Sequence, residues 1–145
     1  MIKSFKDKRK LGLAAAVPQW AALLAQFGGK TYLRAQQAQH GARARFLPAV
    51  LMRWSHKTLL LHARNVNKFV AWHLETRGPI RPESFMDPDL AENVLVQYFL
   101  DLTDGGAAAT TPSARWSSLR FLSQVADMAP PLPLTAPAVH NIVLS

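Results

Sequence analysis

The sequence predicts an all-α fold: a small orthogonal bundle of about four helices behind a basic, partly helical N-terminal extension. Three observations predict it. Apolar residues recur at three- and four-residue steps in long windows, no window alternates as a half-buried strand does, and glycine or proline punctuation separates the helical windows. With 145 residues, 49% of them hydrophobic, the chain can enclose one core and is too apolar for wholesale disorder.

Charge is distributed unevenly. The net +8 comes from 17 Lys/Arg against 9 Asp/Glu. Residues 1–53 hold ten of the bases (Lys3, Lys6, Lys8, Arg9, Lys10, Lys30, Arg34, Arg43, Arg45, Arg53) against Asp7 alone, a net +9. Residues 54–145 hold seven bases against eight acids, a net −1. Such asymmetry points to a polyanionic partner. The chain has no cysteine, which removes disulfides, thiolate catalysis and cysteine-ligated metal. No window approaches the roughly 18 uninterrupted apolar residues of a membrane span, so no membrane partner is expected. Residues 1–17 resemble a basic leader with an apolar run, but Pro18, Gln19 and Trp20 interrupt it. A transit peptide fits the shortage of acids and not the shortage of serine. The expected location is the cytoplasm or nucleoid, or a nucleus or organelle in a eukaryote.

Taken in order, residues 1–54 read as the extension, with helical spacing at Trp20, Leu23, Leu24 and Phe27 ended by Gly28-Gly29. Residues 31–39 form a second helical candidate. In residues 45–54 Pro48 falls where a first helical turn tolerates it. Residues 58–76 form the first helix of the main domain, capped by Ser55 or Thr58 and stopped by Gly78-Pro79. Leu59, His62, Val66, Phe69, Val70 and His73 make its apolar face, with Lys57, Arg64, Asn65 and Lys68 opposite. A proline-rich loop leads to the helix 89–102, begun by Asp87 or Asp89, where acids suit the dipole. After the turn Asp104-Gly105-Gly106, Thr110 or Thr111 caps a third helix, with Pro112 in its first turn and Trp116, Leu119 and Leu122 inward. Residues 55–128 are the domain; the prolines in 129–145 mark a linker or tail, and residues 140–144 are too short to assign.

Histidines lack the spacing of a zinc helix, no glycine-rich phosphate loop occurs, and neither cofactor, metal nor small-molecule substrate is expected. The pattern that carries chemistry is cationic and helical. Arg64 and Lys68 stand one turn apart on the first helix, and the third presents Thr111, Arg115, Ser118 and Arg120 behind a terminus whose free N–H groups suit phosphate. Arginine makes bidentate contacts to guanine or phosphate, and hydroxyls contact either.

The pattern Ser55-x-x-Thr58, Phe69-Val-Ala-Trp72, Val96-Gln-Tyr98-Phe-Leu100-x-Leu102, Gly106, Thr110 and Trp116-Ser-Ser-Leu119-Arg120 resembles the core-binding domain of tyrosine recombinases and phage integrases, in particular the Cre-like members. The resemblance covers residues 55–128. It implies a helical bundle that grips one face of a recombination site in double-stranded DNA and associates with further copies there. Its DNA-facing positions are Thr58, Leu61, Arg64 and Lys68, then Thr110, Thr111, Ala114, Arg115 and Ser118. The family's catalytic arginine, lysine, His-x-x-Arg box and tyrosine nucleophile have no counterpart downstream of these helices, so the expectation is a non-catalytic DNA-binding domain acting in recombination or integration. The alternative is a helical protein-interaction module with no nucleic-acid partner.

Overall fold

A computed structural model describes residues 5–38 and 40–144. Among them the secondary structure is entirely helical: α1 Phe5–Phe27, α2 Lys30–Gln37, α3 His40–Leu51, α4 His56–Arg77, a 3-10 turn Pro82–Phe85, α5 Pro88–Asp104, α6 Thr111–Ala126 and α7 Pro137–Leu144. The all-α expectation holds.

α4 lies at the centre, with α1 and α6 packed against it. The Ser55 hydroxyl caps it by accepting from the Thr58 backbone N–H at 3.2 Å. At its other end His73 donates from Nδ1 to the Gly78 carbonyl at 2.8 Å, which satisfies an imidazole otherwise buried among Phe69, Trp72 and Phe85. Asp87 begins α5, its carboxylate accepting from the N–H groups of Asp89 and Leu90. Leu59, Val66 and Phe69 of α4, all fully buried, each contribute on the order of 1.5–3 kcal/mol by leaving water.

Residues 11–51 pack differently from a detachable extension. Trp20, Leu23, Leu24 and Phe27 of α1 are buried in the same cluster as Leu59, Val66 and Phe69 of α4 and Leu119 and Leu122 of α6. Trp20 donates from Nε1 to the Leu59 carbonyl at 3.0 Å, and its ring meets Phe121 edge-on. Phe27 stacks on Phe69 and Phe85. A basic composition conceals this, because the cations and the apolar face occupy the same stretch. α1 also runs through Pro18: the lost backbone hydrogen bond is offset by the burial of Ala16 and Trp20 on either side. Lys3 and the side chains of Lys6, Lys8, Arg9, Lys10 and Arg43 lie outside the described residues.

α2 is tied to the far end of α6. The Thr31 hydroxyl donates to the Val125 carbonyl at 2.6 Å, and the Lys30 N–H to the Asp127 carbonyl at 3.0 Å. Gly29 makes this closure with φ 99°, and a Cβ there would strike the Ala126 carbonyl oxygen. The proline-rich end is also folded onto the bundle. Leu132, Leu134 and Val139 are buried, Trp116 donates from Nε1 to the Leu134 carbonyl at 2.8 Å, and α7 packs on α5.

Candidate nucleic-acid interface

α4 buries one side and presents the other to solvent, and the 3.6-residue period decides which cations share the outer side. Steps of seven and four residues place Lys57, Arg64 and Lys68 on one stripe, all three exposed. They line an open groove of about 730 Å³ together with Leu61, Asn67 and Gln19, the last reaching in from α1. None of the three cations pairs with an acid among the described residues; Glu75, seven residues beyond Lys68, continues the stripe with opposite charge. Exposed cations flanked by amide side chains can hold phosphate oxygens and offer donors and acceptors to base edges.

The start of α4 adds a further element. Thr58, half buried, accepts from the Ser55 hydroxyl at 2.9 Å, so its side chain takes part in the cap. Gly12 of α1 lies so close to the His56 ring that a Cβ would collide with it. α1 thus passes the head of α4 one turn after its sequence run Lys8-Arg9-Lys10.

α6 distributes its candidates differently from expectation. Ser118 is corrected first. It is 1% exposed and lies in the α4–α6 seam, 2.8 Å from His62 Nδ1 and accepting from Asn65 Nδ2 at 3.0 Å. It therefore has no surface to offer a duplex. Asn65, expected on the outer side of its helix, joins this internal set. Burial holds the His62 imidazole below its usual pKa; it stacks on Phe121 with ring centres 4.3 Å apart. In its neutral form Nδ1 accepts the Ser118 O–H.

The threonine cap is corrected in part. Thr110 holds the N-cap position before Thr111, as expected, but its backbone angles are helical and its side chain makes no capping bond. The reason is local. A capping side chain needs an extended backbone at its own residue and an N–H two or three residues on; Thr110 has φ −84° and ψ −12°, and Pro112, two residues on, brings no N–H. Thr110 is exposed and Thr111 half buried.

The arginines of α6 lie apart. Arg120 is exposed, stands over the Trp116 ring at 5.5 Å, and lines a second groove of about 340 Å³ with Gln124 and Leu132. Arg115 is half buried and donates from Nη1 to the Tyr98 hydroxyl at 3.0 Å. The structure thus gathers Arg64 and Lys68, adds Lys57, Gln19 and Asn67, and leaves Arg120 on a different groove. Spacing already sets Lys57 on the polar side of its helix, though not among the expected DNA contacts; Gln19 depends on α1 packing, which no local pattern carries. Among the described residues no group of three or more His, Asp or Glu could hold a metal ion, and no single helix is long and apolar enough to cross a membrane.

No family model, curated protein or solved structure matches the chain.

Proposed function

We propose that this chain is a non-catalytic, duplex-DNA-binding helical domain of the core-binding type found in tyrosine recombinases and phage integrases. The observation that carries the reading is the outer face of α4: Lys57, Arg64 and Lys68 exposed on one stripe, without acidic partners among the described residues, above a groove that also holds Gln19 and Asn67. The net +9 of residues 1–53 supplies long-range attraction that the net −1 of residues 54–145 does not. The sequence pattern over residues 55–128 adds recombination or integration sites as the context. Association of several copies on DNA and a location with the genome belong to the same reading.

Duplex affinity then falls with salt by about 0.9 in log–log slope per phosphate neutralised. The test is an anisotropy titration of wild type and of the triple variant Lys57→Ala, Arg64→Ala, Lys68→Ala at several salt concentrations. The triple variant is expected to bind more weakly, with a slope shallower by about 0.9 for every phosphate it no longer neutralises. Equal affinity and slope in both proteins contradict the reading.

One observation favours a protein partner instead. Leu61, 46% exposed, stands between the cations of α4, and an apolar residue there suits a partner helix. Concentration-dependent light scattering without DNA, abolished by Leu61→Ser, supports that second reading.

A further inference from the structure

Arg115 stands in a setting unlike that of the other cations, and the register of the helices shows where. Trp54, just before α4, and His62, near its head, meet Phe121; Asn65 meets Ser118; Phe69 and Trp72 meet Tyr98, which receives Arg115. Positions rise along α4 as they fall along α6, so the two helices run antiparallel. Arg115 therefore lies beside the second half of α4, the half that carries Lys68.

Its partner is a neutral one. Tyr98 is 2% exposed, with its ring fixed by Phe69 at 4.9 Å, Trp72 at 5.1 Å and Phe99 at 5.3 Å. Only the hydroxyl reaches the guanidinium. A carboxylate in that place would orient the arginine and cancel its charge; a phenol orients it and leaves the charge intact. Burial raises the Tyr98 pKa further above neutrality, against the opposing pull of Arg115, so the group stays uncharged. The nearest carboxylate along α5, Asp101, is engaged by Trp72 Nε1 at 2.9 Å and Gln97 Nε2 at 2.7 Å. A guanidinium has five N–H donors in a planar fork. One goes to Tyr98, the fork meets no acid among the described residues, and a guanidinium so held can still offer a pair of N–H groups to a phosphate.

We infer that Tyr98 is a positioning residue: its buried hydroxyl, reaching across from α5, holds Arg115 of α6 as a preoriented ligand for a DNA phosphate. This rests on the duplex-binding reading above and extends it to α6. Tyr98 does not touch the nucleic acid itself. Holding the fork in place lessens the side-chain freedom lost on binding.

The test measures a short fluorescein-labelled duplex against the full chain, with circular dichroism confirming that each variant is folded at the working temperature. Wild type and the Lys57/Arg64/Lys68 triple variant establish whether the underlying reading stands. Arg115→Ala is expected to weaken binding about tenfold and to lower the salt slope by about 0.9. Tyr98→Phe is expected to weaken binding about 3- to 10-fold, and the double variant to bind no worse than Arg115→Ala. A purely structural contact predicts instead that both single variants shift the melting temperature and bind DNA like wild type, and that result overturns the inference while leaving the α4 reading intact. Full additivity of the two losses overturns it as well, since Tyr98 then acts independently of Arg115. Absence of duplex binding by wild type at low salt ends both.

Discussion

Ser118 joins α4 to α6 through its hydroxyl, between the His62 ring and the Asn65 amide. Replacing it with alanine leaves His62 Nδ1 without its donor and Asn65 without its acceptor in the seam, at a cost of about 1–3 kcal/mol. Urea unfolding of Ser118→Ala should show that loss, while duplex affinity of the folded variant stays at the wild-type level. The same site makes stability sensitive to acid. Because burial lowers the folded-state pKa of His62, the unfolded chain binds the proton more readily, and stability falls as pH drops below about 6.5, the ordinary imidazole value. The contribution is complete above that pH and is lost progressively toward the lower folded value. His62→Asn should flatten the acid limb of a plot of melting temperature against pH; an unchanged limb assigns the acid sensitivity elsewhere. Spacing places His62 on the apolar face of α4 but does not give its partner, because a serine one turn after Ala114 looks as exposed as any other until the two helices meet. His73 is legible: on an apolar face without ligand spacing, it is a satisfied core histidine.

Among the elements, α4 and α5 follow directly from sequence, since each has a side-chain cap, a periodic apolar face and a glycine or proline stop. α1 does so only in part. Its Trp20-x-x-Leu23-Leu24-x-x-Phe27 spacing is plain, but not that this face meets Leu59 and Phe121, nor that the helix continues through Pro18 back to Phe5. Pro48 likewise falls inside α3 rather than in its first turn, because that helix begins at His40. Periodicity reports that a face is apolar; it does not report against what. Trp20→Ala should therefore destabilise the molecule by about 3–5 kcal/mol, the scale for a large aromatic removed from a packed core. A denaturation midpoint close to wild type shows instead that α1 is only loosely attached. α6 is evident in sequence as a helix but not in its outer face, because Tyr98 and Asn65 claim Arg115 and Ser118, side chains that a helical wheel leaves free.

For the whole molecule, the uneven charge and the shared core bear on each other. The stretch that holds most of the positive charge also provides Trp20, Leu23, Leu24 and Phe27 to the interior. Attraction and stability are thus not separable by cutting at residue 54. Deletion of residues 1–54 should abolish cooperative thermal unfolding of the remainder, whereas deletion of residues 1–10 should keep the fold and weaken duplex binding for every sequence. A cooperative transition in the shorter chain speaks against a single core. The all-helical class is written in the periodicity, and the α4 stripe in the positions of Arg64 and Lys68. The groove that frames the stripe is not, because Gln19 comes to it from α1, a separate helix whose packing against α4 no local pattern records.

The central claim is that the outer face of α4 binds duplex DNA. The measurement that tests it most directly is the salt dependence of duplex affinity for the full chain beside the Lys57→Ala, Arg64→Ala, Lys68→Ala variant. A steep wild-type slope that becomes shallower in the variant by about 0.9 for each phosphate no longer neutralised is the predicted result. The claim is contradicted if a folded wild-type chain shows no duplex binding at low salt, or if the two proteins give the same slope.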